Sequence, residues 1–116
     1  MTSAVATTAA VPWPGPVAIS PERVISGSPS ASTYVLYRDS RTEAGLWKVG
    51  PGEFTTRLTG YREFIHIVEG AGQLIHDDGD TIELSAGTVV ALPEGWSGRW
   101  RITAPLVKSY SIVSQY

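Results

Sequence analysis

Cysteine is absent from all 116 residues. That excludes disulfides and thiol chemistry, and it leaves compartment unreadable from redox usage. Histidine is almost as scarce: His66 and His76 are the only two. No apolar run approaches the roughly 18 residues that a membrane-spanning helix needs. The net charge of -2 gives no electrostatic reason to bind nucleic acid or an anionic membrane. The opening stretch MTSAVATTAAVPWPGP has no basic segment and only a weakly apolar centre. It therefore does not read as a secretory signal, and the chain reads as cytoplasmic. From Thr33 onward no stretch sustains a 3.6-residue period, which excludes helices as the main building unit.

What is present is one domain's length of sequence with an ordinary globular balance, 42 % hydrophobic and 9 % aromatic. Residues 1–31 form an arm rich in Ala, Thr, Ser, Pro and Gly. Pro12, Pro14 and Pro16 favour an extended path. The first ten residues are expected to be disordered, whereas Trp13 is expected to dock, on its own chain or on a neighbouring subunit. Ser20-Pro21-Glu22-Arg23 reads as one short helical turn, with Ser20 as cap and Pro21 first.

Residues 32–116 carry strand and turn signals throughout. Short β-type runs cover Tyr34–Tyr37, Gly45–Val49, Phe54–Thr59, Phe64–Val68, Gln73–His76, Thr81–Leu84, Thr88–Leu92, Gly98–Ile102 and Leu106–Val113. The first of the central runs is expected to stop at Glu69-Gly70. Asp78-Gly79 between two β-rich runs predicts a hairpin, because glycine accepts the positive φ of the turn. Short strands at this spacing, punctuated by Gly and Pro, mean a sandwich or barrel.

Two spacings are specific. Glu63 is followed by six residues (FIHIVE) and Gly70; Gly87 is followed by five (TVVAL) and Pro93-Glu94-Gly95. They match the two cupin motifs, G-x5-H-x-H-x3,4-E-x6-G and G-x5-P-x-G-x2-H-x3-N, and the chain from about Tyr34 to Val113 resembles a cupin. Gly45-x-Trp47, Pro51-Gly52-x-Phe54, Glu63-Phe64, Glu69-Gly70, Pro93-x-Gly95-Trp96, Trp100 and Lys108-x-Tyr110 resemble, more narrowly, the small single-domain cupins grouped with ureidoglycine aminohydrolase and the ethanolamine-utilisation cupins. The resemblance implies an all-β fold, a double-stranded β-helix or small jelly-roll barrel with an extended N-terminal arm, and a homodimer.

A typical cupin holds a metal on three histidines and the glutamate. Here only Glu63 remains. Counting back from it, the two histidine positions fall on Arg57 and Thr59 in one register, or on Thr56 and Leu58 in the other. The third falls on Gly98, and the asparagine position on Ile102. One carboxylate cannot hold a transition metal firmly, so no metal or other cofactor is expected. Strand alternation puts His66 opposite Glu63, on an outer face with Phe64 and Val68. His76, beside Asp77, Asp78 and Asp80, is expected to face solvent at a turn.

Glu63, Trp100 and Ile102 are expected to point inward, as are Arg57 and Thr59 in the first register. Trp47, Trp96, Lys108 and Tyr110 are placed in or near the cavity by the resemblance. The small residues at Gly98 and Thr59 leave volume that suits an organic ligand, with Trp100 as a wall. Glu63 is the candidate catalytic residue, paired with Arg57 or Lys108, or else an unpaired acid or base. Arg57, Thr59, Trp47, Trp96, Trp100, Lys108 and Tyr110 are the candidate ligand-binding set.

Three functions compete. The preferred one is a metal-independent, small-molecule-binding cupin, either a binding protein or an enzyme of isomerase, lyase or cyclase type using Glu63. The alternatives are a metal-dependent hydrolase of nitrogenous metabolites and a non-catalytic dimerising module. The interior could also be a filled core with one structural ion pair.

Overall fold

The structure is a computed structural model that describes residues 3–115. Nine antiparallel strands follow in chain order: β1 (Val17–Ala18), β2 (Val24–Ser26), β3 (Ser30–Arg38), β4 (Thr42–Val49), β5 (Gly52–Arg57), β6 (Tyr61–His76), β7 (Thr81–Leu84), β8 (Val89–Leu92) and β9 (Ser97–Ser114). Among the described residues the only helical segment is a single 3₁₀ turn, Pro21–Arg23, and no helix is long and apolar enough to cross a membrane.

The two longest strands organise the molecule. β9 pairs with β5 through Ser97–Ile102 and with β4 through Leu106–Val113. β6 pairs with β8 through Glu63–His66 and with β7 through Gly72–Ile75. β6 and β9 also run against each other from Tyr61↔Ser114 to His76↔Gly98. One half of the sheet is therefore β3-β4-β9-β6-β8 and the other β2-β5-β9-β6-β7. This is the curled sheet of a cupin jelly roll, with the core between the halves.

Both long strands must bend to serve both halves. The β6–β9 register shifts between Ile67 and Gly72, as bulges do where a strand turns a corner. Gly70 sits there at φ +104, and a Cβ on it would lie 2.4 Å from the Pro105 carbonyl oxygen and 2.5 Å from Leu106 Cα. The expectation that the strand ends at Gly70 is thus corrected: glycine lets the chain bend and continue. Likewise Gly98–Ile102 and Leu106–Val113 are one strand.

Alternation fills the interior. Phe54 and Leu58 from the β5 side, Ile65, Ile67 and Leu74 from β6, and Trp100, Ile102 and Leu106 from β9 are all buried. Each such side chain contributes about 1.5–3 kcal/mol by leaving water.

The arm is integrated at both edges. Val17 and Ala18 pair with Ala31 and Ser30, and Val24 pairs with Phe54. Trp13 lies on its own chain, with Lys48 Nζ 4.9 Å from its ring centre. Pro21 opens the 3₁₀ turn as expected, but the Ser20 side chain makes no capping bond; its carbonyl accepts from the Arg23 N–H instead. The disorder expected for the first ten residues falls partly on Met1 and Thr2, outside the described residues. The Asp78-Gly79 hairpin forms, with Gly79 at φ +102 and its N–H donating to the His76 carbonyl at 2.8 Å.

Candidate functional site

Glu63 from β6 and Lys108 from β9 meet inside the barrel, with Lys108 Nζ donating to Glu63 Oε2 at 2.5 Å. Each residue is only 7 % exposed. Alternation explains the placement: Glu63 shares its face of β6 with Ile65 and Ile67, and Lys108 its face of β9 with Leu106 and Tyr110. Beside the pair lies a cavity of about 170 Å³, lined by Thr33, Glu43, Trp47, Glu63, Lys108, Tyr110 and Ile112.

The ammonium is held by more than the carboxylate. It lies 4.6 Å from the ring centre of Trp47, 4.8 Å from Trp100 and 5.7 Å from Tyr110. Cation–π attraction strengthens when the partners are desolvated. Burial pushes the Lys108 pKa below its ordinary value, and the Glu63 carboxylate opposes this only in part.

A second polar pair adjoins the first. Tyr110 donates to Glu43 Oε2 at 2.7 Å, and Arg38 donates to Glu43 Oε1. These bonds, that of Tyr110 foremost, hold the Glu43 carboxyl below its usual pKa. Burial first, then the Glu43 bond, pushes the Tyr110 phenol well above its ordinary value. Gly45 pairs with Tyr110 across the strands, and a Cβ there would stand 2.2 Å from the Tyr34 carbonyl oxygen and 3.1 Å from the phenol oxygen, so glycine admits both neighbours.

The sequence reading placed Glu63, Trp47, Lys108 and Tyr110 at this site, and the structure brings them together. Trp100 is inward as expected, but it is a core residue behind Lys108 rather than a cavity wall: it is buried against Trp47 at 5.6 Å and Phe54 at 6.5 Å. Trp96 is also buried away from the cavity, beside His76 at 5.7 Å. Arg57 and Thr59 are corrected. Both are exposed, because Phe54 and Leu58 take the inward positions of that segment. The register that holds is Thr56 and Leu58, so Lys108, not Arg57, is the partner of Glu63. Glu43 was missed; it lies on the same strand face as Gly45 and Trp47, and alternation from Trp47 would have found it.

The volume expected at Gly98 does not exist. A Cβ there would lie 2.3 Å from the Ile75 carbonyl oxygen and 2.7 Å from the Trp96 ring. Strand β6 and the indole have closed over the position.

These residues do not fit a metal centre of the cupin type. The three histidine positions are Thr56, the buried Leu58 and Gly98, and the remaining glutamate is bonded to an ammonium. Among the described residues no three His, Cys, Asp or Glu side chains gather as a ligand set. His66 is exposed on the outer face with Phe64, as alternation required. His76 is half-buried rather than solvent-facing, with Nδ1 2.9 Å from Asp78 Oδ1.

A sequence model described as the EutQ-like cupin domain matches residues 36–110, well over half of the chain. No curated protein matches. A protein of unknown function of the DUF861 family from Pseudomonas syringae pv. tomato superposes with TM-score 0.75 at 24 % identity, over 85 % of this chain and 43 % of that one. This chain therefore spans less than half the length of that relative. A putative ethanolamine utilization protein Q from Salmonella typhimurium gives TM-score 0.66 at 22 % identity, over 75 % of this chain and 72 % of that one. The polyketide cyclase RemF from Streptomyces resistomycificus gives 0.61 at 16 %, over 74 % and 71 %. At these identities the likeness is one of fold.

Proposed function

The chain belongs to the EutQ-like cupin family, and from that premise we propose that it is a small-molecule-binding cupin that works without a histidine-bound metal. The observation that carries this reading is the Glu63–Lys108 pair, buried yet opening onto a cavity of about 170 Å³. That volume lies below the roughly 300–1,000 Å³ of pockets for drug-sized ligands, so the ligand is a small metabolite. The Lys108 ammonium suits its acceptor oxygen, the Glu63 and Glu43 carboxylates suit a hydroxyl or amine, and the Trp47 ring suits a flat or apolar part.

The same groups support proton transfer. A lysine whose pKa is lowered by burial gives up its proton more readily than a free one. Lys108 would donate or accept the proton, with Glu63 orienting it. This fits an isomerase, lyase or cyclase reaction, in which the protein need supply only proton transfer, taking a proton from carbon and, in a lyase, returning one to the group that leaves. That RemF is named a polyketide cyclase is in keeping with the idea, as an analogy of fold only.

Ligand-observed NMR against a library of small metabolites, with chelator present, tests the proposal. Hits should bind the wild type and be lost in Lys108→Met/Glu63→Gln. Hits that need added metal would instead favour the metal-dependent hydrolase, and hits indifferent to the double variant would place binding elsewhere.

A dimer is the second reading. Phe64 is 46 % and Val89 77 % exposed, and both line an outer-face groove with Leu36, Ala44 and His66. A second copy seated on this face would cover them. A monomer by light scattering at high concentration would contradict it.

A further inference from the structure

A larger cavity than the one at Glu63, about 520 Å³, opens elsewhere in the structure. It is lined by Arg23, Thr55, Thr56, Arg57, Tyr61 and Ser97. The lining residues include two arginines and four hydroxyl-bearing side chains but no acidic residue. Among the described residues neither Arg23 nor Arg57 forms an ion pair with an acid, in a protein whose net charge is -2.

Arg23 is set in place rather than left to swing. Its Nε donates to the Thr55 carbonyl at 2.9 Å, a terminal nitrogen donates to Thr56 Oγ1 at 3.1 Å, and the guanidinium lies 5.6 Å from the ring centre of Phe54. All of these partners are neutral. They fix the orientation of the group without cancelling its charge, and they leave some of its five N–H donors unused. Tyr61 and Thr56 reach the cavity from the inward faces of β6 and β5. Burial first, and Glu63 next, hold the Tyr61 phenol above its ordinary pKa, so its hydroxyl stays a donor.

We infer that this cavity is an oxyanion-binding site, taking a phosphoryl or carboxylate group of a small ligand, and that the N-terminal arm completes it by supplying Arg23. Planar guanidinium groups with neighbouring hydroxyl donors match the geometry of such anions, and charge-assisted bonds are the strong ones. Arg23 lies on the arm, before residues 36–110 that the family model matches. Its lining shares no residue with the Glu63–Lys108 cavity, and the inference does not rest on the function proposed for that cavity.

The test is titration of the full chain with inorganic phosphate and, separately, with succinate, following the arginine Nε–Hε resonances by NMR. Arg23 and Arg57 should shift saturably, with affinity falling as salt rises. Arg57→Gln removes a side chain on the exposed face of its strand and should weaken binding about tenfold or more. Arg23→Gln should do the same, and the more tightly bound probe identifies the group as phosphoryl or carboxylate. Arg41→Gln, in the β3–β4 turn, should change nothing. A drift that never saturates and is shared by Arg41, or unchanged binding in Arg57→Gln, overturns the inference.

Discussion

Glu63 and Lys108 are bonded diagonally, not as cross-strand neighbours. Glu63 pairs with Ile112 and Lys108 with Ile67 on the adjoining strands, yet their charged ends meet at 2.5 Å. The long lysine side chain runs along the interior, past the rings of Trp47 and Trp100, to reach its partner. A buried pair of this kind is weak evidence for stability but strong evidence for cost if halved, since removing one partner strands the other in a dry site.

Lys108→Met should therefore destabilise the protein by about 3–5 kcal/mol, read by chemical denaturation. Lys108→Met/Glu63→Gln should regain most of that loss, because neither remaining group is charged. Were the double variant as unstable as the single, the pair would not be the isolated buried unit described above.

The Tyr110–Glu43 bond gives a pH signature. The folded pKa of Glu43 is held below its ordinary 4.5, chiefly by Tyr110. Its contribution is present above that value and lost as pH falls through the folded one. Tyr110→Phe should cost about 1 kcal/mol at pH 7, and the gap to wild type should narrow under acid. At the alkaline end the sign reverses. The Tyr110 phenol is raised above its ordinary 10.0 when folded, so wild-type stability should fall above pH 10, where the unfolded phenol ionises. Tyr110→Phe should lack that part of the slope. Denaturation curves across the pH range check both ends.

Gly70 and Gly87 separate backbone strain from crowding. Both have positive φ, +104 and +93. A Cβ on Gly87 meets nothing within 4 Å, whereas on Gly70 it meets the Pro105 carbonyl oxygen and Leu106 Cα. Gly87→Ala should cost about 1–2 kcal/mol, the strain alone. Gly70→Ala should cost clearly more, since backbone atoms of β9 would have to move. Equal losses in thermal denaturation would refute the bend described for β6 and β9.

How far the chain could be read in advance depended on what kind of fact was at stake. Glu63-x6-Gly70 and Gly87-x5-Pro93 identified the fold, because backbone corners impose fixed spacings and glycines. Alternation oriented Glu63, Ile65, Ile67 and, on the outside, Phe64 and His66, because side-chain direction is local to a strand. It could not choose between the registers for Arg57 and Leu58, since the segment between Arg57 and Tyr61 is not a strand and the count slips across it. Nor could it show that Trp96 and the Ile75 carbonyl close over Gly98, or that Lys108 reaches Glu63 diagonally. Those depend on distant strands. Arg23 was hidden for the same reason: only the pairing of β2 with β5 carries the arm to the cavity.

The account turns on the Glu63–Lys108 cavity being a ligand site. A crystal structure of the protein with a metabolite hit from the NMR screen measures this most directly. The ligand should lie against Trp47, within hydrogen-bond distance of Lys108 Nζ or the Glu63 carboxylate, with no cation coordinated in the barrel. A ligand seated elsewhere while this cavity is empty, or a metal ion held by side chains of the interior, would contradict it.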